Sequence, residues 1–300
     1  MPHPVYTHHL ECAARPLVVV HGGTSSPRVL DDGCHIAARA GAQLHREHDA
    51  LAMAVHTVVA LEDDGRFNAG SGAVTAIDGS TIEMDAAVMD SRDRLGAVAA
   101  IRDVRNPVLV AREVADSPHW LLVGEGAQRF ARAVGLRNPH EVSPRRPRRE
   151  AVAEDIDLVR LERMWNFPAP FATARSRLTG GDTVGAVARD AKGGFAAAAS
   201  TGGLSHKLLG RVGDTPAVGC GFYAGARGAF AITGIGERIV RAQLAFRLHQ
   251  WLEQDVALVE AMQRGLALFD ASIAVGMIGI DAHGGAVCAN RDMAFAIHEA

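Results

Sequence analysis

The chain has 300 residues, of which 48% are hydrophobic and 22% charged, with a formal net charge of −3 when histidine is neutral. That is enough apolar material for a sizeable core, and too little charge asymmetry to draw the protein onto nucleic acid or an anionic membrane, so a small-molecule partner is predicted. No basic segment leads into an apolar one at the N-terminus and the apolar runs are too short for a bilayer, so the reading is cytoplasmic, with no membrane partner.

Residues 1–15 show no periodicity and read as a loose N-terminal extension to one domain over 16–300. Leu17-Val18-Val19-Val20 reads as a short buried strand stopped by His21-Gly22-Gly23. Apolar residues recur at helical spacing from Asp32 to Leu61, as one helix or two, closed by Asp63-Asp64-Gly65. Three strand-like runs follow at 73–77, 82–89 and 95–101, and then helices opened by Asn106-Pro107 and covering 125–134. From 136 to 181 prolines alternate with arginines, the texture of a mobile linker. Order returns with strands at 183–189 and 195–200, a glycine-rich loop at 201–214, and two more strands ending at Ile232. Helices at 237–252 and 254–269 and a closing hairpin at 272–280 and 286–290 complete the chain. Helices grouped around strands joined by hairpins predict an α+β fold on antiparallel sheet.

Several signatures fail on inspection. Gly234-Ile235-Gly236 lacks the third glycine of a dinucleotide fingerprint, no phosphate-binding G-x-x-x-x-G-K-[ST] occurs, and Gly70-Ser71-Gly72 is one residue short of a serine elbow. His45-Arg46-Glu47-His48 matches no zinc-peptidase spacing, and of the acids Asp85, Asp90 and Asp93 the last two fall in a turn, where aspartate serves local hydrogen bonding. Cys12, Cys34, Cys220 and Cys288 lie far apart without C-x-x-C, as reduced thiols do. What remains is a glycine excess, 32 residues, concentrated with threonine at strand ends: Gly181-Asp182-Thr183-Val184-Gly185, Ser200-Thr201-Gly202-Gly203, Gly210-Arg211-Val212-Gly213-Asp214 and Thr233-Gly234-Ile235-Gly236-Glu237. Any one of these is also what ordinary turn chemistry produces. Threonine is a poor nucleophile unless a base stands beside it, and cutting the chain just before it supplies an α-amine of pKa about 8.

These motifs, with His21-Gly22-Gly23, Phe67-Asn68-Ala69-Gly70-Ser71-Gly72-Ala73, Glu83-Met84-Asp85-Ala86, Gly124-Glu125-Gly126 and Thr215-Pro216, match in order and spacing the plant-type asparaginases and isoaspartyl peptidases, an N-terminal-nucleophile family that the chain resembles from Val18 to its end. The resemblance implies a four-layer αββα sandwich, cut between Asp182 and Thr183 into an α chain of 1–182 and a β chain of 183–300. Thr183 would then be the nucleophile, with Thr201 beside it, Asn68 holding the nucleophile region, and the Thr233 hydroxyl and Gly234 N–H receiving the oxyanion. Arg211 would take the substrate α-carboxylate and Asp214 its α-ammonium, in a pocket completed by Val212, Gly213, Ile235 and Gly236. Main-chain oxygens of Leu61, Glu62, Asp64, Phe67, Ala69 and Ser71 would coordinate a structural sodium ion, with no organic cofactor. The implied activity is hydrolysis of L-asparagine and β-aspartyl dipeptides, by a dimer of αβ heterodimers. Gly180-Gly181-Asp182 precede Thr183, where many members of the family carry histidine. A glycosylasparaginase of the same fold and an unprocessed protein that only binds an aspartyl ligand are the competing readings.

Overall fold

The computed structural model describes residues 6–13, 15–24, 26–76, 78–136, 183–205 and 207–300. The linker expected over 136–181 lies outside the described residues except for Leu136, as does Asp182. In chain order the strands are β1 (Tyr6–Glu11), β2 (Leu17–His21), β3 (Met84–Asp90), β4 (Leu95–Ile101), β5 (Leu121–Val123), β6 (Val184–Arg189), β7 (Phe195–Thr201), β8 (Phe222–Gly225), β9 (Gly228–Gly234), β10 (Val275–Asp281), β11 (Gly284–Ala289) and β12 (Phe295–Glu299). The helices are α1 (Asp31–Ala42), α2 (Ala50–Asp64), α3 (Pro107–Val114), α4 (Gly124–Ala133), α5 (Gly236–Ala242), α6 (Leu244–Glu253) and α7 (Leu258–Leu266).

The fold is α+β, with two sheets: one ordered β12-β2-β6-β7-β3-β4-β5, the other β1-β11-β10-β9-β8. Pairing is antiparallel apart from β4 with β5. Because side chains alternate across a strand, each central strand feeds two cores. Leu17 and Val19 of β2 pack into the cluster shared by the two sheets, whereas Val18 and Val20 pack with α1 and α2. In β9, Ala229 and Ala231 face the other sheet while Phe230 and Ile232 join Leu244, Leu248 and Met262 of α6 and α7. The side chains between the sheets are small where the strands cross closely, as at Ala197, Ala229 and Ala231. Alanine is a weak strand former, so packing rather than propensity sets β7.

Helix α2 lies over β6 and β7. The Asp49 carboxylate caps its start by accepting from the Ala52 N–H at 3.0 Å, and Gly65, at φ 74°, ends it in the left-handed region that glycine adopts without strain. It thereby delivers the 65–72 loop to the end of the sheet that carries Thr201.

Four expectations are corrected. The N-terminal segment is not wholly loose: Tyr6–Glu11 forms an edge strand, with Tyr6 opposite Ala289 and Glu11 opposite Gly284. Residues 73–76 form no strand, because Val74 N–H is taken by the Asn68 side chain and Ala76 N–H by the Thr81 carbonyl. The helix expected over 237–252 is broken at Gln243, which sits at φ 47° between α5 and α6. The chain ends on β12 rather than on the β10–β11 hairpin. Among the described residues no helix is long and apolar enough to cross a membrane.

Candidate active site

Antiparallel pairing of β6 with β7 brings the start of one strand and the end of the other to the same edge of the sheet. Thr183 immediately precedes Val184, which pairs with Ser200, and Thr201 follows as the last residue of β7. The facing sheet contributes the end of β9, Thr233 and Gly234. The two sheets approach closely here, since a side chain at Gly185 would meet the Ala231 methyl at 2.9 Å. Thr183, Thr201, Arg211, Gly213, Asp214, Gly234 and Gly236 all line one cleft, completed by Gly203, Leu204 and Thr215.

Two threonine hydroxyls meet at this edge of the sheet. Thr183 is buried, with its Oγ1 3.4 Å from Thr215 Oγ1, and Thr201 Oγ1 accepts from the Gly203 N–H at 2.9 Å. Asn68 ties the turn beside Thr201 to the 65–72 loop: its main-chain carbonyl accepts from Gly202 N–H at 2.9 Å and its side-chain amide donates to the Gly203 carbonyl at 2.7 Å. Thr233 Oγ1 is fully buried and has no hydrogen-bond partner, a state that costs free energy unless a ligand relieves it. Gly234, at φ 145°, passes so close to the Ala274 carbonyl that a Cβ would lie 2.2 Å from its oxygen. Only glycine fits there.

Opposite charges face each other across Gly236. Its missing Cβ would sit 2.7 Å from Asp214 Oδ1 and 3.1 Å from Arg211 Nη2, so any side chain would fill the space between them. Arg211 makes a two-toothed pair with Glu237, Nε to Oε1 and Nη2 to Oε2, both at 3.0 Å. Asp214 is buried and its Oδ2 has no partner. Burial pushes its carboxyl up to about 7; its own N–H and Arg211 act the other way, while Glu237 and Asp85 add to the rise. Val212 is exposed, Ile235 half-buried and Thr233 fully buried behind Gly234, and none of the three lines the cleft.

The expected cation loop is a separate feature beyond Asn68. Gly70 and Gly72 lie against main-chain oxygens: a Cβ at Gly70 would sit 2.7 Å from Glu62 O, and one at Gly72 would sit 2.0 Å from Phe67 O and 2.6 Å from Gly65 O. Carbonyls crowded onto side-chain-free backbone are the donor type a hard cation takes. Phe67 O also accepts from Ala69 N–H and Ala69 O from Gly72 N–H, at 2.9 and 3.0 Å. The Glu62 carboxyl is buried and pushed up to about 8, which leaves its main-chain oxygen as the useful donor at neutral pH. No cluster of three His, Cys, Asp or Glu side chains suited to a metal occurs among the described residues.

Several residues at the cleft were not singled out from sequence. Thr215 is visible there only as part of a Gly-Asp-Thr-Pro motif. Lys207 is buried within the 201–214 loop, although nothing local predicts burial of a lysine, and Asp85, one of the acids weighed from sequence, is buried on β3 opposite Thr201. His21 ends β2 against Gly185; burial pushes it down to about 3, with the Thr183 backbone acting oppositely, so it is neutral at ordinary pH.

Comparison with known proteins identifies the chain as a hydrolytic enzyme. It matches the profile of the family described as asparaginase over residues 15–300, and it belongs to that family. It is 41% identical over 268 residues to the isoaspartyl peptidase/L-asparaginase of Macaca fascicularis, covering 86% of this chain and 83% of the relative. The Homo sapiens protein of the same name is 39% identical with the same coverage. A plant-type L-asparaginase of Pyrobaculum calidifontis is 38% identical over 280 residues, 89% of this chain and 91% of the relative.

Proposed function

We propose that this enzyme hydrolyses L-asparagine and β-aspartyl dipeptides, after cutting itself before Thr183 and using that residue as its nucleophile. The observation that carries the reading is the cleft in which a buried threonine hydroxyl shares one small space with a guanidinium and a carboxylate held apart by Gly236. An aspartyl substrate presents an α-carboxylate, an α-ammonium and a side-chain carbonyl, and these three groups match Arg211, Asp214 and Thr183. The names of the relatives from Macaca fascicularis and Pyrobaculum calidifontis agree. The three cores, between the sheets and beneath each set of helices, support a four-layer αββα sandwich.

In this mechanism the freed Thr183 amine takes the hydroxyl proton as Oγ1 attacks the side-chain carbonyl carbon, and passes it to the leaving nitrogen as the C–N bond breaks. Ammonia or an amino acid departs. Water then attacks the β-aspartyl ester, the same amine accepts its proton and returns it to Oγ1, and aspartate leaves. Each tetrahedral oxyanion is held by the Thr233 hydroxyl and the Gly234 N–H. The orphaned, buried Thr233 hydroxyl is already desolvated for that task. Replacing it in Thr233→Val is expected to lower kcat about 10²- to 10³-fold with little change in KM. An unchanged kcat would remove Thr233 from the oxyanion hole. The Leu61, Glu62, Asp64, Phe67, Ala69 and Ser71 carbonyls would hold a sodium ion, which stiffens the loop carrying Asn68 and takes no part in bond making.

The raised carboxyl of Asp214 gives the reading a pH signature. Only ionised Asp214 pairs with the substrate ammonium, so kcat/KM is expected to fall as pH drops through about 7, approaching about tenfold per unit. Saturating substrate holds the carboxyl ionised, so kcat lacks that limb. Asp214→Asn removes the Asp214 step at the cost of weaker binding and leaves only the limb of the Thr183 amine, whose pKa is about 8. A kcat/KM profile flat from pH 5 to 8 in wild type would separate Asp214 from the ammonium site. Comparing kcat/KM for asparagine, β-aspartyl-leucine and a glycosylated asparagine in one assay tests the substrate; dominance of the last would make the protein a glycosylasparaginase.

A further inference from the structure

Cutting the chain before Thr183 meets a difficulty that substrate hydrolysis does not. Until the break is made the Thr183 nitrogen is a peptide amide with no lone pair free to take a proton, so the amine that serves turnover does not yet exist. The first cut therefore needs another group to hold the attacking hydroxyl. Of the other threonines at the site, Thr201 Oγ1 accepts from the Gly203 N–H at 2.9 Å, and Thr233 Oγ1 has no hydrogen-bond partner. Among the described residues, Thr215 Oγ1 is the hydroxyl in contact with Thr183 Oγ1, at 3.4 Å.

Thr215 is 1% exposed and stands on a pinned turn. The Asp214 carbonyl before it accepts from both Ala217 N–H at 3.0 Å and Gly221 N–H at 3.1 Å, and the Gly221 carbonyl accepts from Ile232 N–H at 2.8 Å, next to Thr233 on β9. A Cβ at Gly221 would lie 2.6 Å from the Asp214 carbonyl oxygen, so glycine lets the two backbones touch there. The Thr215 hydroxyl is thus a fixed point beside the nucleophile. Relaxed hydroxyl pairs sit about 2.7–2.8 Å apart, so this buried contact has room to shorten as charge builds on the attacking oxygen.

We propose that Thr215 is a further catalytic residue that serves the self-cutting step: its hydroxyl fixes the rotamer of Thr183 Oγ1 toward the preceding carbonyl until the cut releases the amine that takes over. In that step Oγ1 bonds to the Asp182 carbonyl carbon, the bond from that carbon to the Thr183 nitrogen breaks, and the hydroxyl proton ends on the freed nitrogen. Water then splits the resulting ester, leaving a carboxyl group on Asp182 and the hydroxyl on Thr183. The amine is already free for this second stage and for every later turnover. The proposal rests on the self-cutting put forward above and deepens it.

The full chain is made by cell-free synthesis as wild type, Thr215→Val and Thr215→Ser, and the appearance of the two fragments is followed by intact mass. The kcat for L-asparagine is then measured on cut protein, with thermal melts as the check on folding. Thr215→Val keeps the shape of the side chain and loses its oxygen; it is expected to slow cutting about 10²-fold or more, while kcat of the cut protein falls less than about tenfold. Thr215→Ser keeps the oxygen and is expected to cut within about threefold of wild type, a rescue that a packing role for the Thr215 methyl would not allow. A folded Thr215→Val that cuts at the wild-type rate overturns the proposal. So does one whose kcat falls as far as its cutting rate, or a serine variant as slow as the valine one. If Thr215→Val stays whole throughout, the serine variant decides: one that cuts supports the proposal and one that stays whole overturns it. If Thr215→Val does not fold, Thr215→Ala takes its place with the same expectations. A wild type that is never cut would sink the self-cutting of the proposed function, whereas a wild type that cuts beside an equally fast Thr215→Val sinks only this inference.

Discussion

Thr183→Ala is expected to leave one uncut chain of 300 residues by intact mass, where wild type is expected to give two fragments split between Asp182 and Thr183. It is also expected to reduce ammonia release from asparagine by about 10⁴-fold or more, the scale on which loss of a nucleophile registers. Both effects come from one oxygen. Thr183 Oγ1 is buried at the mouth of β6, 3.4 Å from Thr215 Oγ1, and is the only Thr183 atom able to attack either the preceding peptide carbonyl or a substrate amide. Alanine removes Oγ1 and one buried methyl, so a thermal melt run beside the assay separates lost chemistry from lost folding. A Thr183→Ala chain that is still cut, or still turns over asparagine, would sink the nucleophile assignment. A wild-type chain that stays whole and binds aspartate without turnover would make the protein an unprocessed binder.

The second large effect is expected at Arg211. Its guanidinium is fixed by two hydrogen bonds to Glu237 and faces Asp214 across Gly236, so it presents its remaining N–H groups to the cleft without having to be ordered at binding. Arg211→Met removes the positive charge and leaves a substrate carboxylate unpaired, a loss of about 2–5 kcal/mol for a desolvated charge pair, or roughly 30- to 5,000-fold in kcat/KM. The α-carboxylate does not change charge during the reaction, so most of the loss belongs in KM. Arg211→Lys restores charge but not the planar fork, and should fall between wild type and Arg211→Met. If Arg211→Met keeps KM for asparagine within about threefold of wild type, the α-carboxylate is bound elsewhere.

Much of the fold can be read along the chain because its signals are local. The run Leu17–Val20, the Asp190–Gly194 turn between β6 and β7, and Pro107 at the start of α3 each carry their own short-range chemistry. What escapes such reading depends on distant partners. Tyr6–Glu11 becomes a strand only because β11, nearly the whole chain away, offers its edge, and His8 and His9 give it no apolar alternation. Residues 73–76 have strand-like composition, yet Asn68 captures the Val74 N–H that a ladder would need. At the site, glycine and threonine clusters mark strand ends but do not say which ends meet; family resemblance links Thr183, Arg211 and Thr233, and the two-sheet topology gathers them. Lys207 stays hidden from both, since a lysine buried on main-chain carbonyls has no signature in its neighbours.

The strand order of the seven-stranded sheet has a consequence for any break before Thr183. Read across the sheet, β12 comes from after the break, β2 from before it, β6 and β7 from after, and β3, β4 and β5 from before; in the other sheet, β1 from before is sewn onto β11 from after. The two fragments are interleaved rather than juxtaposed. Neither owns a complete sheet, so neither can leave without giving up ladders on several strands at once, and dilution alone would not separate them. Unfolding such a cut molecule becomes a bimolecular event in reverse: its recovery from denaturant depends on protein concentration, whereas that of the uncut chain does not.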